Sequence, residues 1–152
     1  MTKLEALKKL QKYCAYQDRC HQEVRSKLLD LGIYGDDLEN VMVELIEENF
    51  LNEERFARSY ARGKFRIKKW GKVRILRELK QRQISAYCIR KGMEEIEEEE
   101  YQKVLDQIIQ KKADTTASKN DYELRKKVAD YAIRRGFESH LVWDKVKAMV
   151  GE

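Results

Sequence analysis

The sequence predicts an all-α protein: three tandem three-helix repeats, about nine helices in an elongated, curved array. Three observations predict it. The 152 residues contain no proline and only seven glycines, and helix formers dominate a chain that is 42% hydrophobic and 39% charged. Apolar residues recur at helical spacing between identifiable start and stop signals. One pattern also returns along the chain. Val24, Leu28, Gly32 and Ile33 align with Ile75, Leu79, Gln83 and Ile84, and again with Val128, Ala132, Gly136 and Phe137; five residues beyond each set stand Leu38, Ile89 and Val142. Any helical chain yields some matches at i, i+4 and i+8, but the recurring stop and onward spacing favour true repeats. They are placed at 1–50, 51–93 and 94–152, the last with a polar linker at 112–121 that is a candidate hinge.

The elements follow in order. Thr2 and Glu5 form a capping box before Leu4, Leu7 and Leu10. A second helix starts near Asp18–Cys20, carries Val24, Leu28 and Leu31, and stops at Gly32. Asp36 and Glu39 suggest another capping box, opening a helix with Leu38, Val41, Met42 and Leu45 that ends near Asn49. Asn52 is the expected N-cap of the fourth helix, with Glu53 and Glu54 placed where the helix dipole favours negative charge and Leu51 and Phe56 set as a hydrophobic staple. On that helix Phe56, Tyr60, Gly63, Ile67 and Trp70 read as one buried stripe, with Gly63 a point where backbones approach; Phe65 is left between core and surface. Gly71 separates it from a fifth helix with Ile75, Leu76 and Leu79 inward. Ser85 caps a short sixth helix ending by Gly92. Helices over about 94–111, 121–135 and 139–150 complete the set, with Gly136 and Ser139 as stop and cap.

The net charge of +5 is modest, but it is unevenly spread. Residues 1–54 hold seven Lys/Arg against twelve Asp/Glu, residues 55–91 hold fourteen against Glu78 alone, and residues 92–152 hold eleven against fourteen. On the fourth helix Arg55, Arg58, Arg62, Arg66 and Lys69 form one cationic ridge, widened by Lys64, Lys68 and Lys72; Arg74 and Arg77 continue it on the fifth. Lys126, Lys127, Arg134 and Arg135 make a second basic cluster in the third repeat. Close cations repel, so stability alone would have interspersed acids. Two explanations compete. The acidic "EEIEEEE" at 94–100 folds back on the ridge, or the ridge binds a polyanionic or acidic partner. The second accounts better for so long a one-signed stretch.

Nothing in the chain reads as catalytic or cofactor-binding. "RGKFRIKKWGK" is not a phosphate-binding loop, the glutamates at 94–100 lack calcium-loop spacing, and His21 and His140 have no nucleophile beside them. Zinc ligation by Cys14, Cys20 and His21 is less expected than core or surface thiols, and three unpaired-looking cysteines suit a reducing cytoplasm. No stretch is long and apolar enough to span a bilayer.

The stretch "LNEERFARSYARGKFRIKKWGKVRILRELKQRQIS" resembles the central signature of the RecX family of bacterial recombination regulators. The match falls on Leu51, Asn52, Glu53, Arg55, Phe56, Ala57, Gly71, Arg74, Ile75, Glu78, Leu79 and Ile84. "VRSKLLDLGI" at 24–33 and "RRGFES" at 134–139 are similar to elements of the first and third repeats. Gln83 departs from the family, which usually has glycine there. The resemblance implies a non-enzymatic, cytoplasmic modulator of homologous recombination, DNA repair and the SOS response, working without a cofactor. It would bind RecA filaments on single-stranded DNA and inhibit strand exchange and ATP hydrolysis. Double-stranded DNA is a further candidate ligand, and a monomer is expected.

Two alternatives remain open at this point. One is a DNA-binding protein of helix-turn-helix type that acts without RecA, although no helix carries an evident base-reading set. The other is a helical-repeat adaptor for an unrelated acidic partner.

Overall fold

The computed structural model describes residues 1–151, so Glu152, the last residue of the expected third repeat, lies outside them. Among the described residues every regular element is a helix: α1 (Lys3–Tyr16), α2 (His21–Asp30), α3 (Gly35–Glu47), α4 (Glu53–Arg66), α5 (Lys72–Gln81), α6 (Ala86–Met93), α7 (Glu98–Thr115), α8 (Asp121–Arg134) and α9 (Ser139–Met149). The described residues gather into two compact units, one of residues 1–60 and 79–92, the other of residues 61–78 and 93–151.

The three aligned positions end their helices in the same way. Gly32 (φ 81°), Gln83 (φ 58°) and Gly136 (φ 101°) all adopt left-handed backbone. Each donates its N–H to the carbonyl three residues back, at Leu29, Lys80 and Ile133, all at 2.9 Å. The next residue then reaches the carbonyl five back: Ile33 to Leu28 at 2.9 Å, Ile84 to Leu79 at 3.3 Å and Phe137 to Ala132 at 3.3 Å. This is the Schellman motif, in which a left-handed residue lets the chain recover orphan carbonyls and turn inward. Ile33, Ile84 and Phe137 are buried as a result, as are Leu38, Ile89 and Val142 beyond them. The repeat seen in the letters is therefore a repeat of one hydrogen-bonded turn, and Gln83 keeps its geometry without glycine.

In the first unit Leu7, Leu10, Val24, Leu28, Val41 and Leu45 form the centre of an aliphatic core. Thr2 and Glu5 cap α1 reciprocally, each bond at 3.1 Å, and the Asn52 side chain accepts from Arg55 N at 2.9 Å. Gly92 lies so close to Ala57 that a Cβ there would sit 2.7 Å from the Ala57 carbonyl oxygen. In the second unit an aromatic column runs through the core. Phe65 and Tyr101 have ring centroids 5.7 Å apart, and Tyr101 and Phe137 5.1 Å apart. The Tyr101 hydroxyl is kept satisfied: it donates to Glu138 and accepts from Lys72 N at 2.9 Å. Burial and the Glu138 carboxylate push its phenol well above the usual range.

Several expectations are corrected here. The buried face of α4 is Phe56, Ala57, Ala61 and Phe65, one position round from the stripe read in the sequence. Ile67 is 78% exposed, Tyr60 and Trp70 are half-buried, and no neighbouring backbone approaches Gly63. Helix α4 ends at Arg66, so Ile67, Lys69 and Trp70 fall beyond the helix on which the stripe and the ridge were read, and Lys69 turns left-handed at φ 58°. Leu76 is only half-buried. Helix α3 starts before Asp36, with Tyr34 at the N-cap and Asp36 and Asp37 in the first turn. Helix α7 begins at Glu98, not 94, because buried Ile96 holds the preceding segment against the core; its first turn is then Glu98, Glu99 and Glu100. It also extends to Thr115, which shortens the linker to 116–120. Glu138 stands at the N-cap of α9 in place of Ser139, its carboxylate engaged by Tyr101.

Candidate partner-binding surface

The expected cationic residues divide by what holds them. In the first unit Arg55 is a structural clamp. Its guanidinium donates to Asp18 Oδ1 at 2.7 Å, to the Asn49 carbonyl at 3.2 Å and to the Phe50 carbonyl at 3.1 Å, tying down the turn after α3. Arg58 pairs with Glu54 one turn back at 3.1 Å. These two ridge positions are already engaged by the protein itself.

In the second unit the acidic segment does fold back on part of the ridge. Arg62 reaches Glu95 at 3.3 Å, Arg66 reaches Glu100 at 3.7 Å, and Lys72 reaches Glu98 at 2.8 Å. Lys72 and the Gln102 amide hold the Glu98 carboxyl below the usual carboxylate range. The compensation is weak. The Arg66 and Glu100 side chains are 53% and 38% exposed, and exposed pairs of this kind contribute about 0.2–1 kcal/mol. Such pairs soften the field of the ridge without locking its arginines away.

The cations beyond that reach gather at one hydrogen-bonded junction. Gly71 N donates to the Arg135 carbonyl at 2.8 Å, and Val73 N donates to the Gly136 carbonyl at 2.9 Å. The Arg135 guanidinium in turn donates to the carbonyls of Lys68 and Lys69. A Cβ on Gly71 would run into the Gly136 peptide, and one on Gly136 into Arg74, so two glycines let the start of α5 and the α8–α9 turn meet backbone to backbone. Trp70 is clasped between Lys64, at 4.9 Å from its ring centroid, and Arg74, at 3.9 Å. Around this junction Lys68, Lys69, Arg74, Arg77, Arg134 and Arg135 pair with no carboxylate among the described residues. Lys126 is exposed and also has none, whereas Lys127 is held by Glu123 at 2.9 Å.

A model of the RecX second three-helix domain matches residues 52–93, and one of the third three-helix domain matches residues 98–146. The chain belongs to the RecX family. Among curated RecX relatives, "Regulatory protein RecX" of Lactobacillus gasseri is 36% identical over 59% of this chain and 33% of that protein. The protein of the same name from Prosthecochloris aestuarii is 28% identical over 91% of this chain and 89% of its own. The chain thus spans about a third of the length of the first and most of the second. The crystal structure of RecX from Lactobacillus salivarius superimposes with a TM-score of 0.85 over 97% of this chain and 96% of that one, at 18% identity, which establishes the shared fold. The RecX matches begin at Asn52, the N-cap of α4, and run through the basic stretch, the junction and α9.

Sequence reasoning missed the basic side chains at the end of α7. Lys111 and Lys112 fall at helical spacing from Val104 and Ile108, but the expected helix ended at Lys111 and the expected linker began at Lys112, so they were not grouped with the third repeat's cations. Cys14 and Cys20 behave as core thiols in the first unit, where burial pushes both up to about 11, and Cys88 is half-buried. Among the described residues no three His, Cys, Asp or Glu side chains are grouped to hold a metal ion, and no helix is long and apolar enough to cross a membrane.

Proposed function

We propose that this RecX-family protein regulates homologous recombination and DNA repair by binding RecA filaments on single-stranded DNA and inhibiting strand exchange and ATP hydrolysis, without catalysis of its own. The single observation that carries the reading is the set of acid-free cations, Lys68, Lys69, Arg77 and Arg134, displayed around a rigid backbone junction. A phosphate backbone or an acidic filament surface supplies the charge that these side chains lack within the chain. The repeats at 1–50, 51–93 and 94–152 each contribute modest contacts, and their linkage makes the sum avid enough to hinder strand pairing and ATP turnover. Arg58, Arg62 and Arg66 join the contact by exchanging their glutamates for the partner.

The test is RecA ATP hydrolysis on single-stranded DNA. Lys68→Glu, Arg77→Glu and Arg134→Glu together are expected to raise the half-inhibitory concentration about tenfold or more, because each reversal removes a contact of roughly 1 kcal/mol and adds a repulsion. Helicity by circular dichroism should be unchanged. Undiminished inhibition at low and moderate salt would refute the assignment. Titration of labelled duplex without RecA addresses the helix-turn-helix alternative, which requires sequence-specific binding there.

A further inference from the structure

The second unit contains a cavity of about 460 Å³ between α7, the C-terminal end of α8 and the turn at Lys69. Its floor is aliphatic, formed by Val104 and Ile108 on α7. Its rim is cationic: Lys111 and Lys112 from the last turns of α7, Lys69 from its left-handed position after α4, and Arg135 from the cap of α8. Among the described residues no carboxylate lines it. That sets the place apart, because cations elsewhere on α7, α8 and α9 have found acids. Lys103 pairs with Glu99 at 3.7 Å, Lys127 with Glu123 at 2.9 Å and Lys145 with Asp106 at 2.7 Å.

The chemistry of the lining selects the occupant. Beyond phosphate contacts, a single-stranded nucleic acid is held by stacking its bases on bare aromatic faces. The aromatic ring that lines the cavity among the described residues, Tyr131, is already covered by Lys112, at 4.5 Å from the centroid, and by Arg135, at 5.7 Å. An aliphatic floor inside a ring of lysines instead complements an aliphatic anchor flanked by carboxylates. We infer that this cavity docks an acidic protein segment, seating a leucine-like side chain on Val104 and Ile108 while Lys69, Lys111 and Lys112 engage flanking Asp or Glu. The Gln107 amide and the Tyr131 hydroxyl, which bond no other described residue, stand at the same rim to receive its peptide groups.

The inference shares Lys69 with the RecA reading but is tested separately, through Lys111, Lys112 and Ile108 and without RecA or a filament. Three probes are titrated with the full chain by fluorescence anisotropy. The first is a labelled acidic peptide of about a dozen residues with two leucines one helical turn apart. The second is its charge-matched version with serines for the leucines, and the third is an oligothymidylate. The leucine peptide should bind, with the serine version weaker by about tenfold or more, as expected for one buried leucine. Lys111→Glu with Lys112→Glu should abolish binding of the leucine peptide. Ile108→Ser should erase the preference for leucine while leaving helicity intact, and it decides the matter if the double reversal fails to fold. Failure of the leucine peptide to bind, equal binding of both peptides, or oligothymidylate binding that is tighter and lost with the same two lysines would each overturn the assignment.

Discussion

Replacing Gln83 by glycine should make the protein more stable, which runs against the usual expectation for a glycine placed between two helices. Gln83 holds φ 58°, where a side chain meets the following carbonyl at a cost of roughly 1–2 kcal/mol. Glycine removes that cost and returns about 0.5–1 kcal/mol through the greater freedom of the unfolded chain. The net gain is about 0.5–1 kcal/mol, or a rise in Tm of about 2–4 °C per kcal/mol for a chain of this size. The two sister turns serve as internal controls. Gly32 has φ 81° and open space where a Cβ would sit, so Gly32→Ala carries only the conformational cost, about 1 kcal/mol. Gly136 has φ 101° and would drive its Cβ into Arg74, at the turn whose carbonyl accepts from Val73 N, so Gly136→Ala should cost at least about 2 kcal/mol. Urea and thermal melts followed by circular dichroism measure all three. If Gln83→Gly is neutral or destabilising while Gly32→Ala costs nothing, backbone handedness does not govern these turns and the reasoning fails.

Other consequences can be checked with equal directness. Glu95→Gln, Glu98→Gln and Glu100→Gln together remove the acids that pair with Arg62, Lys72 and Arg66, so binding to single-stranded DNA should tighten and its salt dependence steepen, by a slope of up to about 0.7 per freed cation; an unchanged slope would mean that those cations never reach phosphate. Arg55→Ala removes the donor to Asp18 Oδ1 and to two carbonyls and should cost about 1–3 kcal/mol in a urea melt. The Cys14 and Cys20 thiols are raised to about 11 in the fold from an ordinary value near 9. Their contribution is therefore complete below about pH 9 and is lost as pH climbs toward 11, and at pH 8 iodoacetamide should label half-buried Cys88 first and the other two only on unfolding.

The sequence carried the fold most clearly where geometry demands a particular backbone. Gly32 and Gly136, each followed by a buried apolar residue, mark helix stops that few other arrangements satisfy, and the spacing located the third stop even though glutamine occupies it. The facing of α4 was harder to see. Ala57 packs inside because the sixth helix approaches it at Gly92 and leaves room only for a small side chain, while Ile67 lies in solvent past the end of α4 at Arg66. Hydrophobicity of single letters does not report that proximity. The charged stretch was legible as a run but not in its pairings. Whether Arg62 meets Glu95 or Arg77 stands alone depends on where α7 begins, and buried Ile96 settles that start from outside the acidic run.

The backbone seam at Gly71 and Gly136 has a consequence for how such a surface changes over time. Two of its bonds run from peptide to peptide, so apart from Arg135, whose guanidinium holds the Lys68 and Lys69 carbonyls, the seam constrains the two glycines and places little demand on the chemistry of the side chains that fan out beside it. Positive residues there are free to be gained, lost or exchanged as the surface they meet drifts, while the frame that displays them stays fixed.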